Sequence, residues 1–415
     1  MRHFPRYLML SILAMALMGL VGCSEDITTP DHGLSAGNPV AKNAEPIQLD
    51  GATRYEGVMG GENIYVFVVP DDWNGELVLY SHGFVDAGEP IQEPDKDNVA
   101  EIRDRIVGMG FAWAYGSYRE NGMAVKDGAW ATRQLVGKFQ ATVKQQPAYT
   151  WLMGNSLGAL VAIELAETHP AEFDGIVTLN GMVGGTKAQL DYVGNIRLLF
   201  DLFYPGVLPG SVCDVPEDFD LTYDVIYPVV GAVQADPTGL GVISRLKNPR
   251  LPGRDGEELV EALVTAIGFN FRGLHDVLDR TGGDCPIDNA DTVYEPVLPG
   301  YLPDDVLWYI NNMIPRYDRS VPKEGLFDRY YEPTGDLRIP MVAVHHEHDP
   351  VVPLFEEHLY AAKVAAMGCS QNHELRVVPR FAHTDFPADE AAEEAAQALM
   401  DLRLKALAGG AVLTR

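Results

Sequence analysis

Apolar and polar positions alternate along the chain in a way that predicts two kinds of element. Seven short apolar runs have the length and composition of buried strands: 64–70, 77–80, 111–115, 151–153, 175–181, 339–344 and 374–378. Longer segments of helix-compatible composition lie between or after them: 97–107, 128–145, 159–167, 354–367 and 389–407. This alternation predicts an α/β fold built on a mainly parallel, doubly wound sheet with helices on both faces.

The regular pattern breaks between residues 182 and 336. That stretch is rich in Pro, Asp, Gly and aromatic residues, and its helical pieces at 257–267 and 304–313 do not alternate with strand-like runs. A stretch of this length is too long for a structureless loop in a compact domain. We therefore expect residues 182–336 to form a large inserted lid domain, with residues 47–181 and 337–415 forming the α/β core.

The first residues have the pattern of an export signal. Arg2 and Arg6 precede an apolar run over 7–21, which at roughly 15 residues is short for a membrane-spanning helix but typical of a signal peptide. The run ends in Leu-Val-Gly-Cys and resembles a bacterial lipoprotein signal. The resemblance implies that residues 1–22 are removed and that Cys23 carries a lipid.

Residues 23–46 are rich in Ser, Thr, Pro, Asp, Gly and Asn, which is the composition of a flexible tether. Ser24 follows the cysteine, where an aspartate would imply retention at the inner membrane. By this resemblance we expect an exported protein held to a membrane through Cys23, at the periplasmic or cell-surface face of the outer membrane.

Composition and charge narrow the classes of partner. The chain has 415 residues, of which 47% are hydrophobic and 22% charged, as expected of a globular protein, and its formal net charge is -28. Nucleic-acid binding needs clustered Lys and Arg, so this acidic balance argues against a nucleic-acid partner. The oligomeric state is left open.

A candidate nucleophile lies at Ser156, in the motif Gly154-x-Ser156-x-Gly158. The motif follows an apolar run and precedes a helix-compatible segment, which is the strand, sharp turn and helix of a nucleophile elbow. Glycines on either side of the serine let the strand and the helix approach closely, because neither has a β-carbon. The turn would expose the serine hydroxyl beside the backbone N–H of Leu157, at a helix N-terminus that favours developing negative charge.

A candidate acid and a candidate base follow in chain order. Asp349 comes after the strand at 339–344, and His383 comes after the strand at 374–378. A serine hydroxyl is a poor nucleophile unless a base takes its proton, and the base needs an acid to orient it and to stabilise its cation. The sequence thus supplies Ser156, Asp349 and His383 as a catalytic triad.

The order Ser, Asp, His, with each residue after a strand, resembles the α/β-hydrolase superfamily of serine esterases and lipases. The resemblance covers roughly residues 60–181 and 337–408 and leaves the expected lid outside. It also assigns roles to the segment that follows the strand at 77–80. There the backbone N–H of Phe84 is expected to join that of Leu157 in an oxyanion hole, with His82 and Gly83 shaping the loop.

Two rival interpretations of nearby residues are weaker. Asp385 is a second acid, but it lies too close in sequence to His383 to be its partner. The run His345 to His348 invites a metal site, yet it lacks the His-Glu-x-x-His spacing of a helical zinc site, and neighbouring side chains of an extended chain point to opposite faces. We expect neither a metal nor a cofactor.

Cysteines and one loop complete the candidates. Cys213 and Cys285 both lie in the expected lid, and in an exported chain a disulfide between them is expected. Cys369 is then unpaired, unless it replaces one of these two partners. The loop at 118–125 resembles a substrate-side loop of some bacterial esterases, with a solvated connection as the alternative.

The function expected from these residues is the hydrolysis of carboxylic esters, small or polymeric, through an acyl-enzyme. One alternative is a serine peptidase of the proline-type aminopeptidase kind, in which Glu217-Asp218 or Asp304-Asp305 of the lid would bind a substrate amine. Another is a non-catalytic surface-binding protein with a hydrolase-like fold. Neither the acyl group nor the alcohol of the substrate follows from the sequence.

Overall fold

The apolar runs pair into one sheet. The computed structural model describes residues 45–60, 62–93, 98–319 and 331–408. Within these ranges the sheet has nine strands: β1 (Ile47–Leu49), β2 (Ala52–Val58), β3 (Ile64–Pro70), β4 (Glu76–Ser81), β5 (Ala112–Gly116), β6 (Tyr149–Asn155), β7 (Gly175–Leu179), β8 (Met341–His346) and β9 (His373–Val378). Each of the seven predicted runs corresponds to one of the strands β3 to β9.

The strand order is β1-β2-β3-β5-β4-β6-β7-β8-β9. The pairs β1–β2, β2–β3 and β3–β5 are antiparallel. All pairs from β5 onward in this order are parallel. The predicted mainly parallel α/β sheet is therefore confirmed, and the carboxyl ends of its parallel strands meet at one edge.

Helices lie between and after the strands. Those that belong to the α/β pattern before the break are α1 (Val99–Val107), α2 (Val125–Val143) and α3 (Leu157–Thr168). The described residues between β7 and β8, which we call the helical segment, contain α4 (Thr186–Phe203), α5 (Tyr227–Ala235), α6 (Thr238–Ile243), α7 (Gly256–Phe269), α8 (His275–Thr281) and α9 (Asp304–Met313). The remaining α-helices are α10 (Phe355–Ala366) and α11 (Ala388–Ala408).

Strand β4 shows how the sheet is covered on both faces. Leu77 and Leu79 pack into a core with residues of α2 and α3, whereas Val78 and Tyr80 pack into a second core with α1 and α11. Successive side chains of a strand point to opposite faces, so both faces of β4 are buried. This explains why the strand is an unbroken apolar run, as in other sheets with helices on both sides.

The helical segment packs on the first of these two cores. Leu263 of α7 and Leu198 of α4 belong to the same buried cluster as residues of α2 and α3. A π-helical turn, Asn270–Leu274, joins α7 to α8, and another, Leu221–Ile226, precedes α5. Cys213 and Cys285 form a disulfide within this segment, 72 residues apart in sequence. The lid and core boundaries remain predictions.

Two details of the prediction need correction. The edge strands β1 and β2 were not expected, because only part of β2 is buried and its sequence mixes polar with apolar residues. Strand β8 begins at Met341 rather than at residue 339, because Pro340 cannot donate a hydrogen bond inside a central strand. The strand also continues to His346, so His345 and His346 lie within it and not after it.

The predicted export signal, Cys23 and the tether up to residue 44 lie outside the described residues. Among the helices of the described ranges, none is both long enough and apolar enough to cross a membrane. Cys369, which lies between α10 and β9, is a partly exposed free thiol.

Candidate active site

Ser156 occupies the sharp turn between β6 and α3. Its backbone angles are φ 54° and ψ -122°, a conformation that a side chain with a β-carbon rarely adopts and that costs about 1–3 kcal/mol. The turn is held from both sides: the N–H of Ser156 donates to the carbonyl of Leu179 at 3.0 Å, and the N–H of Met182 donates to the carbonyl of Ser156 at 3.0 Å. The strain expected of a nucleophile elbow is present at this serine.

The two glycines of the motif permit two separate close approaches. A β-carbon on Gly154 would lie 2.2 Å from the carbonyl oxygen of Gly158, and one on Gly158 would lie 2.0 Å from the carbonyl oxygen of Ser81. Both distances are far below van der Waals contact. The N-terminus of α3 is thus pressed against the end of β4. The segments that carry Leu157 and Phe84, the two expected oxyanion donors, therefore adjoin each other.

The imidazole of His383 is paired with Asp349. Its Nδ1 lies 2.7 Å from Oδ2 of Asp349, and the carboxylate is fully buried. The other oxygen, Oδ1, accepts the N–H groups of Val351 at 2.8 Å and Val352 at 2.9 Å. A carboxylate fixed by two backbone donors holds the ring in one orientation and one tautomer, with Nδ1 protonated.

The rival acid Asp385 has a different partner. Its Oδ1 accepts the backbone N–H of His383 at 3.1 Å. It therefore shapes the loop of the histidine, while Asp349 contacts the ring.

Asn180 joins the strand ends on which the candidate residues lie. It follows β7 with φ 46°, and its side chain donates to the carbonyl of His383 at 2.6 Å and accepts the N–H of His346 at 2.9 Å. The preceding residue, Leu179, is the one that accepts the N–H of Ser156. Asn180 lies in the run predicted as a strand, but the strand ends at Leu179. The sequence signal that could have shown its role is an Asn directly after a buried apolar run, because Asn tolerates a positive φ better than most residues.

His82 has surroundings that fit an organising role. Its ring stacks on Tyr118 with centroids 3.9 Å apart, and its Nδ1 lies 2.8 Å from the carbonyl of Gly83. The hydroxyl of Tyr118 donates to the carbonyl of His82 at 3.2 Å. Burial raises the pKa of Tyr118 far above its usual value, so the phenol stays protonated and continues to donate.

The helical segment contacts the loop that carries Phe84. The ring of Phe84 lies 5.2 Å from that of Phe269 at the end of α7. Two residues further on, Oδ1 of Asp86 accepts a hydrogen bond of 2.6 Å from Nε of Arg272. The sequence did not indicate this contact, since the two residues are 186 positions apart.

The loop at 118–125 is held by the same segment. The N–H of Met123 donates to Oδ2 of Asp276 at 2.8 Å, and Arg280 donates to the carbonyl of Asn121 at 2.7 Å. Asp276 and Arg280 pair with each other in α8. This loop is therefore packed against the helical segment.

The adjacent histidines of β8 face opposite sides of the sheet. His345 pairs with Glu357 of α10, whereas His346 lies against the carbonyl of Ala382 and Glu394 of α11. No group of three His, Cys, Asp or Glu side chains suited to a metal ion is found in the described ranges.

The acidic pairs predicted to bind an amine are exposed. Glu217, Asp218, Asp304 and Asp305 all lie on the surface. A different acid of the helical segment, Glu261 of α7, lies near enough to Asp385 for the two charges to interact. Burial, together with the charges of Asp385, Glu258 and Glu257, raises the pKa of Glu261 to about 7.

No protein-family model matches the chain, and no curated protein matches it. Similar solved structures include an esterase of Pyrococcus furiosus, 11% identical over 85% of this chain and 92% of that chain, with a TM-score of 0.43. A monoacylglycerol lipase of Paleococcus ferrophilus is 12% identical over 83% of this chain and 98% of that chain, with a TM-score of 0.37. An acylaminoacyl peptidase of Pyrococcus horikoshii is 9% identical over 88% of this chain and 41% of that chain, with a TM-score of 0.43. At these identities and TM-scores, the likeness assigns neither an activity nor a substrate.

Proposed function

We propose that this chain is a serine hydrolase of the α/β-hydrolase type that cleaves carboxylic esters through an acyl-enzyme. The observation that carries the proposal is the 2.7 Å hydrogen bond between the ring of His383 and the buried carboxylate of Asp349. It occurs at the same end of the sheet as the strained turn of Ser156. A buried acid that orients an imidazole, at the end of the sheet that also carries a strained serine turn, fits the arrangement that activates a hydroxyl nucleophile.

In the acylation step, Oγ of Ser156 attacks the ester carbonyl carbon and gives its proton to Nε2 of His383. The carbonyl oxygen becomes an oxyanion, and the N–H groups of Leu157 and Phe84 stabilise it, each by about 3 kcal/mol. Asp349 stabilises the imidazolium. The intermediate then collapses, the bond to the alcohol oxygen breaks, and His383 returns the proton to the departing alcohol.

Deacylation repeats these steps with water. His383 takes a proton from water as the water oxygen attacks the acyl carbon, and the same two N–H groups hold the second oxyanion. When the acyl bond to Oγ breaks, His383 protonates Ser156, and the carboxylic acid leaves. Proton count and charge are restored, and neither step needs a metal or a cofactor.

The test is hydrolysis of p-nitrophenyl esters of increasing chain length, together with labelling by a fluorophosphonate probe. We expect Ser156→Ala to lower kcat at least about thousandfold and to abolish labelling, because removal of the nucleophile leaves only the oxyanion hole and binding. A folded Ser156→Ala protein with unchanged kcat would contradict the proposal. Absence of labelling and hydrolysis in the unaltered protein would favour the non-catalytic surface-binding alternative.

The aminopeptidase alternative draws on Glu261, an acid of the helical segment whose charge interacts with that of Asp385, near His383 in sequence. A positively charged substrate amine would favour the ionised form of this carboxyl, which could then bind it. Amino-acid arylamides compared with aryl esters of the same acids separate the two activities. A kcat/KM that is higher for arylamides, and that falls with Glu261→Gln only for them, identifies the peptidase.

We also propose that a lipid on Cys23 holds the protein to a membrane, on the sequence pattern around that residue. The test is fractionation of a Cys23→Ala variant expressed in a bacterium. The variant should leave the membrane fraction, and retention there would contradict a lipid anchor.

A further inference from the structure

His345 is a buried histidine whose two ring nitrogens both face acceptors. Its Nδ1 lies 3.3 Å from Oε1 of Glu357, and its Nε2 lies 2.8 Å from the carbonyl oxygen of Val352. Both His345 and Glu357 have no exposed surface. A neutral imidazole has one N–H, so only the imidazolium can donate to the carboxylate and the carbonyl together.

In this buried environment the negative charge of Glu357 and the positive charge of the protonated ring compensate each other. Burial acts to lower the pKa of His345, but the hydrogen bond and the charge of Glu357 outweigh it, and the pKa is raised. Burial acts to raise the pKa of Glu357, but the hydrogen bond from His345 and the ring of His373, 3.9 Å away, outweigh it, and the pKa is lowered. Glu356, the adjacent buried carboxyl, has its pKa raised well above normal by burial, so it stays neutral and does not compete for the ring.

The backbone of Val352 links this pair to the candidate triad. Its carbonyl lies against Nε2 of His345, while its N–H donates to Oδ1 of Asp349 at 2.9 Å. The other oxygen of Asp349 binds the ring of His383. Hydrogen bonds therefore connect Glu357 and His345 to one side of residue Val352, and Asp349 and His383 to the other, with the Cα of Val352 as the covalent link.

We propose that His345 and Glu357 are positioning residues for the acid of the triad. This inference rests on the proposed function. The pair fixes the backbone of Val352. That backbone in turn holds the carboxylate of Asp349 in the position that orients His383. Neither residue contacts the substrate in this account, so their loss should lower kcat and leave KM nearly unchanged, because misplacing a catalytic group by a fraction of an ångström already slows the chemical step.

The experiment compares four variants with the full-length protein. His345→Leu removes both ring donors, whereas His345→Gln keeps an amide N–H that can reach the carbonyl of Val352. Glu357→Gln removes the charge that holds the ring. The matched control is Glu167→Gln, a buried carboxylate on α3 that accepts the N–H groups of Thr334 and Gly335 at 2.8 Å and makes no bond to the Asp349 loop.

The readouts are kcat and KM for p-nitrophenyl butyrate, and the downfield proton NMR resonance of the Asp349–His383 hydrogen bond. Circular dichroism and urea unfolding establish the folded fraction of each variant. We expect His345→Leu and Glu357→Gln to lower kcat about tenfold to a hundredfold with KM within about twofold. The resonance should broaden or shift in both. His345→Gln should recover part of kcat, and Glu167→Gln should lose stability but keep kcat.

If His345→Leu does not fold, His345→Gln and Glu357→Gln carry the test alone. The inference is overturned if these variants keep the kcat and the NMR resonance of the unaltered protein, or if Glu167→Gln loses kcat to the same extent. Failure of the proposed function looks different. In that case the unaltered protein itself neither hydrolyses p-nitrophenyl butyrate nor reacts with a fluorophosphonate at Ser156.

Discussion

The guanidinium of Arg272 pairs with the carboxylate of Asp86, across the contact between the helical segment and the α/β core. Nε of Arg272 lies 2.6 Å from Oδ1 of Asp86, and the guanidinium also lies 5.8 Å from the ring of Phe84. Arg272 belongs to the π-helical turn after α7. The loop expected to supply an oxyanion donor is thus held by a residue from outside the core.

This pair predicts that the helical segment affects the chemical step. Arg272→Ala should lower kcat/KM for p-nitrophenyl esters about tenfold, because the backbone N–H of Phe84 loses its fixed position. A double-mutant cycle with Asp86→Ala should give a coupling energy of about 1 kcal/mol or more.

Arg254→Ala is the matched control for Arg272→Ala. Arg254 is exposed and pairs with Glu258 inside the helical segment, so its removal should change kcat/KM little. Equal losses in the two variants would show that the Asp86 pair has no special effect on the site.

The geometry also separates the two acids near His383. Asp349 contacts the ring, whereas Asp385 contacts only the backbone N–H. Asp349→Asn should lower kcat by about ten-thousandfold, since an amide at this position favours the wrong tautomer of the histidine. Asp385→Asn should lower it less than about tenfold. Initial rates at pH 8 with each folded variant measure both effects, and the reverse ranking would exchange the roles of the two acids.

The sequence was sufficient to predict the features that depend on local patterns. The runs that became β3 to β8 are apolar because both sheet faces are covered there, and the Gly-x-Ser-x-Gly turn at Ser156 has its own composition signal. The pairing of Asp349 with His383 could be predicted because each follows a parallel strand, and the ends of such strands meet at one edge of the sheet.

Contacts between distant segments could not be predicted. The bond between Asp86 and Arg272 joins a loop to a π-helical turn that share no sequence pattern, and Glu357 meets His345 only because α10 packs back on the sheet. His345 was considered as a metal ligand from its neighbours in sequence, whereas its actual partners depend on tertiary packing. The edge strand β2 was not predicted, because a partly buried strand has a mixed polar and apolar sequence.

Substitution of Gly158 tests the close packing around the turn that carries Ser156. An added β-carbon would lie 2.0 Å from the backbone carbonyl oxygen of Ser81, and backbone cannot rotate away as a side chain can. Gly158→Ala should therefore lower the free energy of unfolding by about 1–3 kcal/mol and slow fluorophosphonate labelling of Ser156.

The matched control for that test is Gly137→Ala in α2, where a β-carbon would meet no atom within 4 Å. Alanine there should raise the free energy of unfolding by about 0.5–1 kcal/mol and leave labelling unchanged. Urea unfolding and labelling rates provide the two measurements. A Gly158→Ala protein as stable and as reactive as the unaltered one would contradict the close approach of α3 to β4.

Glu261 predicts a dependence of stability on pH. Burial and neighbouring carboxylates raise its pKa from 4.5 to about 7, so the native state favours the protonated form. A raised folded-state pKa adds stability at low pH that is lost as pH rises from about 4.5 through about 7. Glu261→Gln removes this titration, because its amide stays neutral throughout. The difference in free energy of unfolding, variant minus unaltered protein, should therefore increase by about 1–2 kcal/mol between pH 4 and pH 8, allowing for partial solvent screening. Urea unfolding at intervals of one pH unit measures this difference. A difference that stays constant over this range would show that the native state does not bury Glu261 enough to raise its pKa.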